Sequence, residues 1–208
     1  DEAGTGHLEF YYEPSNDRAV LYLRDSAGTS TAYIHVTTSE NSRANPKFHH
    51  LLLAWNTNFG AGAKILQAYL NGVATASVGD ASAAFNCYYT GTNWYVGATN
   101  AAGSKVDGAI AEFYFAPGQY LDISQASNRA KFIDSSGNPV FLGSDGSTPT
   151  GTAPAVYLNN GANTFGTNKG SGGNFTLNGS PTDANSTPLY YYSEPSDFDG
   201  SAAYMNRG

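Results

Sequence analysis

Short runs rich in Tyr, Phe, Val and Ile, each closed by Gly, Asn, Ser or Pro, set what this chain can fold into. Runs of that length and make-up form strands joined by turns, not long helices. They predict strands over Leu8–Tyr12, Arg18–Arg24, Thr31–Thr37, Lys47–Trp55, Lys64–Leu70, Val73–Val78, Asn93–Ala98 and Ala109–Ala116. Ala19-Val20-Leu21-Tyr22-Leu23 is almost continuously apolar, as in a strand covered on both faces. Lys64–Leu70 instead alternates Ile65, Gln67 and Tyr69 with Leu66, Ala68 and Leu70. Asn71-Gly72 follows it, the pair that best tolerates the positive φ angles of a tight hairpin turn. Pro117-Gly118 ends the last of these runs with a turn.

One stretch, Ile123–Asp134, reads as helix, with Asp122 as its cap, Ala126, Ala130 and Ile133 near one stripe and Ser136-Gly137 as its stop. From about Gly143 the composition turns to Gly, Ser, Thr and Asn. Weak strands are expected at Ala155–Leu158, Asn174–Leu177 and Leu189–Tyr192. Such a segment reads as an extension laid along a sandwich, not as a second domain with its own core.

Charge and cysteine narrow the function classes. Ten Lys and Arg stand against 17 Asp and Glu, for a net charge of −7. An acidic chain this poor in cations is a weak binder of phosphate backbones, so nucleic acid is not expected as a partner. No apolar run has the length of a membrane span, so membrane insertion is not expected either. The single cysteine, Cys87, forms no internal disulfide and reads as a small packing residue. Asp1 stands where an initiator Met would, which suggests a processed or longer product.

Four segments together resemble one family. Phe48-His49-His50-Leu51-Leu52-Leu53-Ala54-Trp55, then Lys64–Val73 with its Asn71-Gly72 turn, then Trp94-Tyr95-Val96-Gly97-Ala98, then Val106–Phe115 occur in the order found in laminin-G-like domains. Those domains belong to the concanavalin A-like lectin/glucanase superfamily. The resemblance covers Leu8 to about Ala116. It implies an all-β, two-sheet antiparallel jelly-roll sandwich, here with one short helix and a loop-rich C-terminal extension. The expected organisation is a sandwich core over 1–118, an extension over 119–195 and a closing strand over 196–208. A narrower resemblance, in 116–143 and 146–173, is to structural proteins of tailed bacteriophages. It implies a virion or extracellular location, with copies of itself or other virion proteins as partners.

The opening strand of such modules, with its "F-D-G-x-x-x-Y" pattern, has no counterpart before Leu8. It stands at the far end, as Phe198-Asp199-Gly200-Ser201-Ala202-Ala203-Tyr204. Self-closure of one chain, donation to a neighbouring copy, and excision from a tandem array all account for it. Self-closure and donation both place Phe198 and Tyr204 in a β-ladder, with Phe198, Asp199, Gly200 and Tyr204 as the closing or assembly strand.

Candidate chemistry is sparse. A glucanase of this superfamily needs two carboxylates flanking the scissile bond. The six glutamates (Glu2, Glu9, Glu13, Glu40, Glu112 and Glu194) are scattered, so no catalytic residue is assigned and the chain is expected not to be an enzyme. His49-His50 would point to opposite faces of a strand, His50 toward the core or rim and His49 outward, which prevents joint chelation. No cofactor is expected. Calcium is the one cation the resemblance raises, with Asp107 and Asp199 as weak ligand candidates and Asp80 and Asp145 at other loop ends. Tyr88, Tyr89, Asn93, Trp94 and Tyr95 have the make-up of a glycan site, aromatic faces beside planar amides. Cell-surface glycans are therefore the alternative partner to copies of the chain. The second aromatic cluster is Tyr190-Tyr191-Tyr192.

Overall fold

The computed structural model describes residues 7–37, 48–60, 62–75, 77–80, 83–91, 93–99, 104–184, 196–200 and 204–207. They group into two compact units, 1–91 with 120–129 and 92–119 with 130–208.

The first unit is a pair of antiparallel sheets. Strands β1 (Leu8–Glu13), β2 (Arg18–Arg24), β3 (Thr31–Thr37) and β7 (Ser77–Asp80) form one sheet in the order β1-β2-β3-β7. Strands β4 (Leu51–Phe59), β5 (Ala63–Leu70) and β6 (Val73–Ala74) form the other. Period-two alternation turns Ala19, Leu21 and Leu23 of β2, and Ala32, Ile34 and Val36 of β3, to one face. They form a buried cluster with Ala68 and Phe85, against which Leu51, Leu53, Trp55, Leu66 and Leu70 pack. Val20 on the opposite face of β2 is buried too, as its apolar run predicts for a central strand. Asn71 and Gly72 both have positive φ, 50° and 79°, and turn β5 into β6 as expected. Asn71 also locks the entry to β4, since its Oδ1 accepts from the His50 amide (2.9 Å) and its own amide donates to the His50 carbonyl (2.8 Å).

Segment 120–129 is fastened to the outward side of β5. The Gln67 amide donates to Asp122 Oδ1 (2.7 Å), its oxygen accepts from Ile123 N–H (3.0 Å), and the Arg129 guanidinium lies 4.4 Å above the Tyr69 ring. Gln67 and Tyr69 face outward because Leu66, Ala68 and Leu70 face the core.

Among the described residues the second unit contains three small antiparallel sheets. Strands β10 (Phe113–Phe115) and β11 (Val156–Leu158) pair with each other. Strand β15 (Tyr204–Arg207) runs between β12 (Thr176–Asn178) and β8 (Trp94–Val96). Strand β14 (Ser196–Asp199) runs between β13 (Thr182–Asp183) and β9 (Asp107–Ile110). Buried residues here include Phe115, Val156, Tyr157, Leu158, Phe165, Phe175, Phe198 and Met205.

Two expectations meet a different structure. The run Val73–Val78 is not one strand, because β6 finishes the β5 hairpin and β7 joins the edge of the other sheet beside β3. The helix expected over Ile123–Asp134 is a single turn, α1 (Ala126–Arg129). Side chains occupy the groups a longer helix would use. Asp122 accepts from Ser124 N–H and Oγ–H, and Arg129 Nη1 donates to the carbonyls of Ile123 and Ser124 (both 2.8 Å). Ile133 then pairs with Pro139 in a bridge and not with a helical turn. The two compact units part near 91, and the buried residues of the second unit come from both sides of residue 118, among them Phe115, Val156 and Phe198.

Two turn carboxylates make the first unit acid-sensitive. Hydrogen bonds from Ser124 and Gln67 hold Asp122 down to about 2. Burial pushes Asp25 upward, but bonds from Ser30 and Thr29 outweigh it and bring it to about 2. A carboxylate whose folded pKa is depressed stabilises the fold above its unfolded pKa and loses that contribution as pH falls through the folded one. The melting temperature is therefore expected to drop between about pH 4 and about pH 2, and Asp122→Asn is expected to shallow that slope. Thermal melts across that interval check it, and a flat profile would refute it.

Candidate functional site

The displaced strand pattern is seated in its own chain. Phe198 stands opposite Gly108 in β9, and Met205 stands opposite both Val96 in β8 and Leu177 in β12. The C-terminal segment thus supplies the central strand of two sheets. Phe198 is fully buried, packs edge-on against Phe165 at 6.0 Å between centroids, and covers Gly97, where a Cβ would sit 3.2 Å from the Phe198 ring. Gly200, at φ +70°, turns the chain out of β14 so tightly that a Cβ would lie 2.9 Å from that of Asp107. Only glycine suits that position. Tyr204 is half-buried opposite Asn178. Within the single chain, β14 pairs with β9 and β13, and β15 with β8 and β12.

A buried polar relay lies beside β11. Tyr157 donates its hydroxyl to Glu112 Oε1 (2.7 Å) and accepts from Asn159 Nδ2 (2.7 Å). Burial pushes the Glu112 carboxyl up, while Tyr157 and Asn159 pull it partly back. The buried Oδ1 of Asn159 has no partner among the described residues. Such a relay carries no second carboxylate, so its evident work is to fix the β10-β11 pair. Removing a buried partner costs about 1–3 kcal/mol per group left unsatisfied. Tyr157→Phe is expected to cost that much. A carboxyl raised in the fold destabilises it as pH rises, so the loss is expected to be larger near about pH 8 than near about pH 4. Urea titrations at both conditions check this, and an equal loss would refute it.

The glycan candidates divide between the units. Tyr88 and Tyr89 belong to the first, and Asn93, Trp94 and Tyr95 to the second. Tyr88 is tied by its backbone to the Arg24 carbonyl (2.9 Å). Tyr89 accepts from Trp55 Nε1 (2.7 Å), bonds the Cys87 thiol, and is shifted up by burial. Burial likewise pushes the Cys87 thiol up, which suits a packing residue. Trp94 lies 5.4 Å from the Phe115 ring. Adjacent strand residues face opposite ways, so Trp94 and Tyr95 do not form one stacking platform.

The carboxylates are mostly committed to local structure. Glu13 pairs with Arg18, Asp134 accepts from Ser136 and Asn138, and Asp145 accepts from Ser147. Asp107 is exposed on β9 opposite Asp199. The Asp80 and Asp199 side chains lie outside the described residues, as do Glu2, Glu40, Glu194 and Tyr190–Tyr192. Among the described residues no three His, Cys, Asp or Glu side chains converge to hold a metal ion, and no helix is long and apolar enough to cross a membrane. His49 and His50 precede β4 and are both half-buried, so His49 does not point outward as expected. Burial lowers the pKa of His50.

One surface was not singled out from the sequence. Phe10, Tyr11 and Tyr12 are 47%, 39% and 37% exposed on β1, the edge of the first sheet. Three adjacent aromatics interrupt the alternation of a one-face-buried strand, and that interruption was the available signal.

Two antiparallel sheets facing each other across one apolar core define a lectin-type β-sandwich. A laminin-G family model of the concanavalin A-like lectin/glucanases superfamily matches residues 1–118, more than half of the chain, and the chain belongs to that superfamily. No curated protein and no solved structure matches the chain.

Proposed function

We propose that this chain is a non-enzymatic structural module, a lectin-like sandwich used for assembly, of the virion-decorating or filament-forming kind its sequence resembles. The observation that carries the reading is the exposed aromatic edge, Phe10, Tyr11 and Tyr12. A soluble sheet ordinarily guards such an edge with charge, proline or a covering segment. Pairing of β14 and β15 within the single chain favours an assembly role on the surface over strand donation. Committed carboxylates favour a structural over a hydrolytic role.

Light scattering coupled to size exclusion, over a wide range of protein concentration, tests this against the carbohydrate-binding alternative. The expected result is concentration-dependent association together with a silent glycan array. A strictly monomeric chain that binds glycans, and loses them in Trp94→Ala, would replace the assembly reading with a lectin one.

A further inference from the structure

We propose that Lys169 and Asn159 join in an intramolecular amide cross-link, with Glu112 carrying the protons. Three neighbouring segments of the second unit place these residues together. On one side of β11, the β10-β11 register pairs Phe113 with Leu158, so one residue further Glu112 stands opposite Asn159. On the other side, Tyr157 turns its amide to Asn168 Oδ1 (2.8 Å) and its carbonyl to the Lys169 amide (2.9 Å). Asn160 Nδ2 donates to the Thr167 carbonyl (3.1 Å), so 167–169 runs antiparallel to β11 with Lys169 opposite Tyr157. Residues directly opposite share a face of a sheet, and so do residues two apart on a strand. Glu112, Tyr157, Asn159 and Lys169 therefore share one face. The two-residue step from Tyr157 to Asn159 is about 7 Å, within the sweep of lysine's flexible four-carbon stem. The Lys169 charge also reaches Glu112, where it draws the carboxyl down against the upward push of burial.

The groups that amide exchange needs are held on that face. Asn159 is 4% exposed, its Nδ2 donates to the Tyr157 hydroxyl (2.7 Å), and its Oδ1 has no partner among the described residues. The Tyr157 hydroxyl in turn donates to Glu112 Oε1 (2.7 Å). A buried carbonyl oxygen without a donor is costly at rest, and it accepts one strongly as negative charge gathers on it. Ionised Glu112 takes one proton from the Lys169 ammonium. The freed lone pair on Nζ bonds Asn159 Cγ, and protonated Glu112 donates to Oδ1 in the tetrahedral intermediate. A second Nζ proton passes to Nδ2, the Cγ–Nδ2 bond breaks, and the departing ammonia takes up the proton that Glu112 held. One lysine ammonium and one primary amide become one secondary amide and one ammonium ion, a balance that needs no oxidant. The bond forms within a single chain, whether or not copies associate.

The intact mass of the denatured parent chain reads the bond directly. The parent is expected to be lighter than its sequence by one ammonia, and its digest to contain one branched peptide joining Lys169 to Asn159. Lys169→Arg keeps the cation but lacks the attacking amine. It is expected to show its full sequence mass with unchanged circular dichroism, since Lys169 is only half-buried. Glu112→Gln keeps the shape of the side chain but carries no proton, and is expected to remain unlinked. A folded parent chain of full sequence mass would overturn the cross-link. Loss of ammonia that persists in Lys169→Arg would overturn it too, and would assign the loss to a succinimide at Asn71-Gly72, Asn160-Gly161 or Asn178-Gly179. Linkage that survives in folded Glu112→Gln would overturn the role of Glu112 and leave the bond standing.

Discussion

Phe198→Ala lowers the stability of the chain by about 3–5 kcal/mol, the cost of deleting a fully buried aromatic ring. Phe198 is completely enclosed, rests on Phe165, and lies over Gly97, which is too close to follow an alanine inward. For a chain of this size that loss lowers the melting temperature by about 6–20 °C. The same variant discriminates self-closure from donation. With β14 held in its own chain, the difference between parent and variant is the same at every protein concentration. With β14 borrowed from a neighbour, the difference grows with concentration, because binding stabilises the folded state by mass action. Deleting 196–208 goes further, since it removes the central strand of two sheets and leaves β8, β9, β12 and β13 without their shared partners. Denaturant titration of Phe198→Ala at several concentrations is the check. A loss below about 1 kcal/mol, or one that rises with concentration, would end the self-closure account.

The first unit was largely legible in the sequence because its strands carry their own periodicity. The apolar run in β2, the alternation in β5 and the Asn71-Gly72 turn each state a local structure that packing then agrees with. Strand β7 was hidden inside Val73–Val78 because leaving one sheet for another produces no change in residue type. The false helix has a related origin. Asp122, Ser124, Asn128 and Arg129 look like cap and surface residues of a helix, yet their side chains bond the backbone directly and stop it after one turn. Local propensity and local side-chain competition are indistinguishable in a string of letters.

The second unit was harder to read for a different reason. Phe165, Phe175 and Phe198 stand singly among glycines and polar residues, so their burial does not follow from an apolar run. Phe165 and Phe198 meet only through packing between segments far apart in sequence. Of the candidate site residues, the displaced Phe198-Asp199-Gly200 segment was legible because it repeats a strand pattern out of place. The aromatic edge on β1 was visible as Phe10-Tyr11-Tyr12 but reads as an ordinary strand until its neighbours are known. Exposure depends on sheet order, and sheet order is not local.

Asn168→Ala is the second large effect, and it tests whether a glycine-rich loop is ordered by one side chain. Asn168 Oδ1 accepts from the amides of Tyr157 (2.8 Å) and Gly170 (3.0 Å). Its Nδ2 donates to the carbonyls of Ala155 (2.9 Å), Gly172 (2.9 Å) and Gly173 (3.3 Å). The loop after it lies so close to 154–155 that a Cβ on Gly170 would come 2.5 Å from the Pro154 carbonyl oxygen. Water therefore has little room to replace the amide. Losing five hydrogen bonds at once, four of them part-buried, is expected to cost about 3 kcal/mol or more, two to three times an ordinary single hydrogen bond. Asn168→Asp separates the two halves of the amide. It retains the acceptor for Tyr157 and Gly170 but donates nothing to the three carbonyls, and once ionised it sets a negative charge among their oxygens. It is expected to be as damaging as alanine near neutral pH and to recover part of the loss when protonated. Hydrogen exchange at the Tyr157 and Gly170 amides, with denaturation of both variants, reads the two effects apart. Exchange unchanged in Asn168→Ala, or Asn168→Asp as stable as the parent at neutral pH, would show that the glycines order themselves.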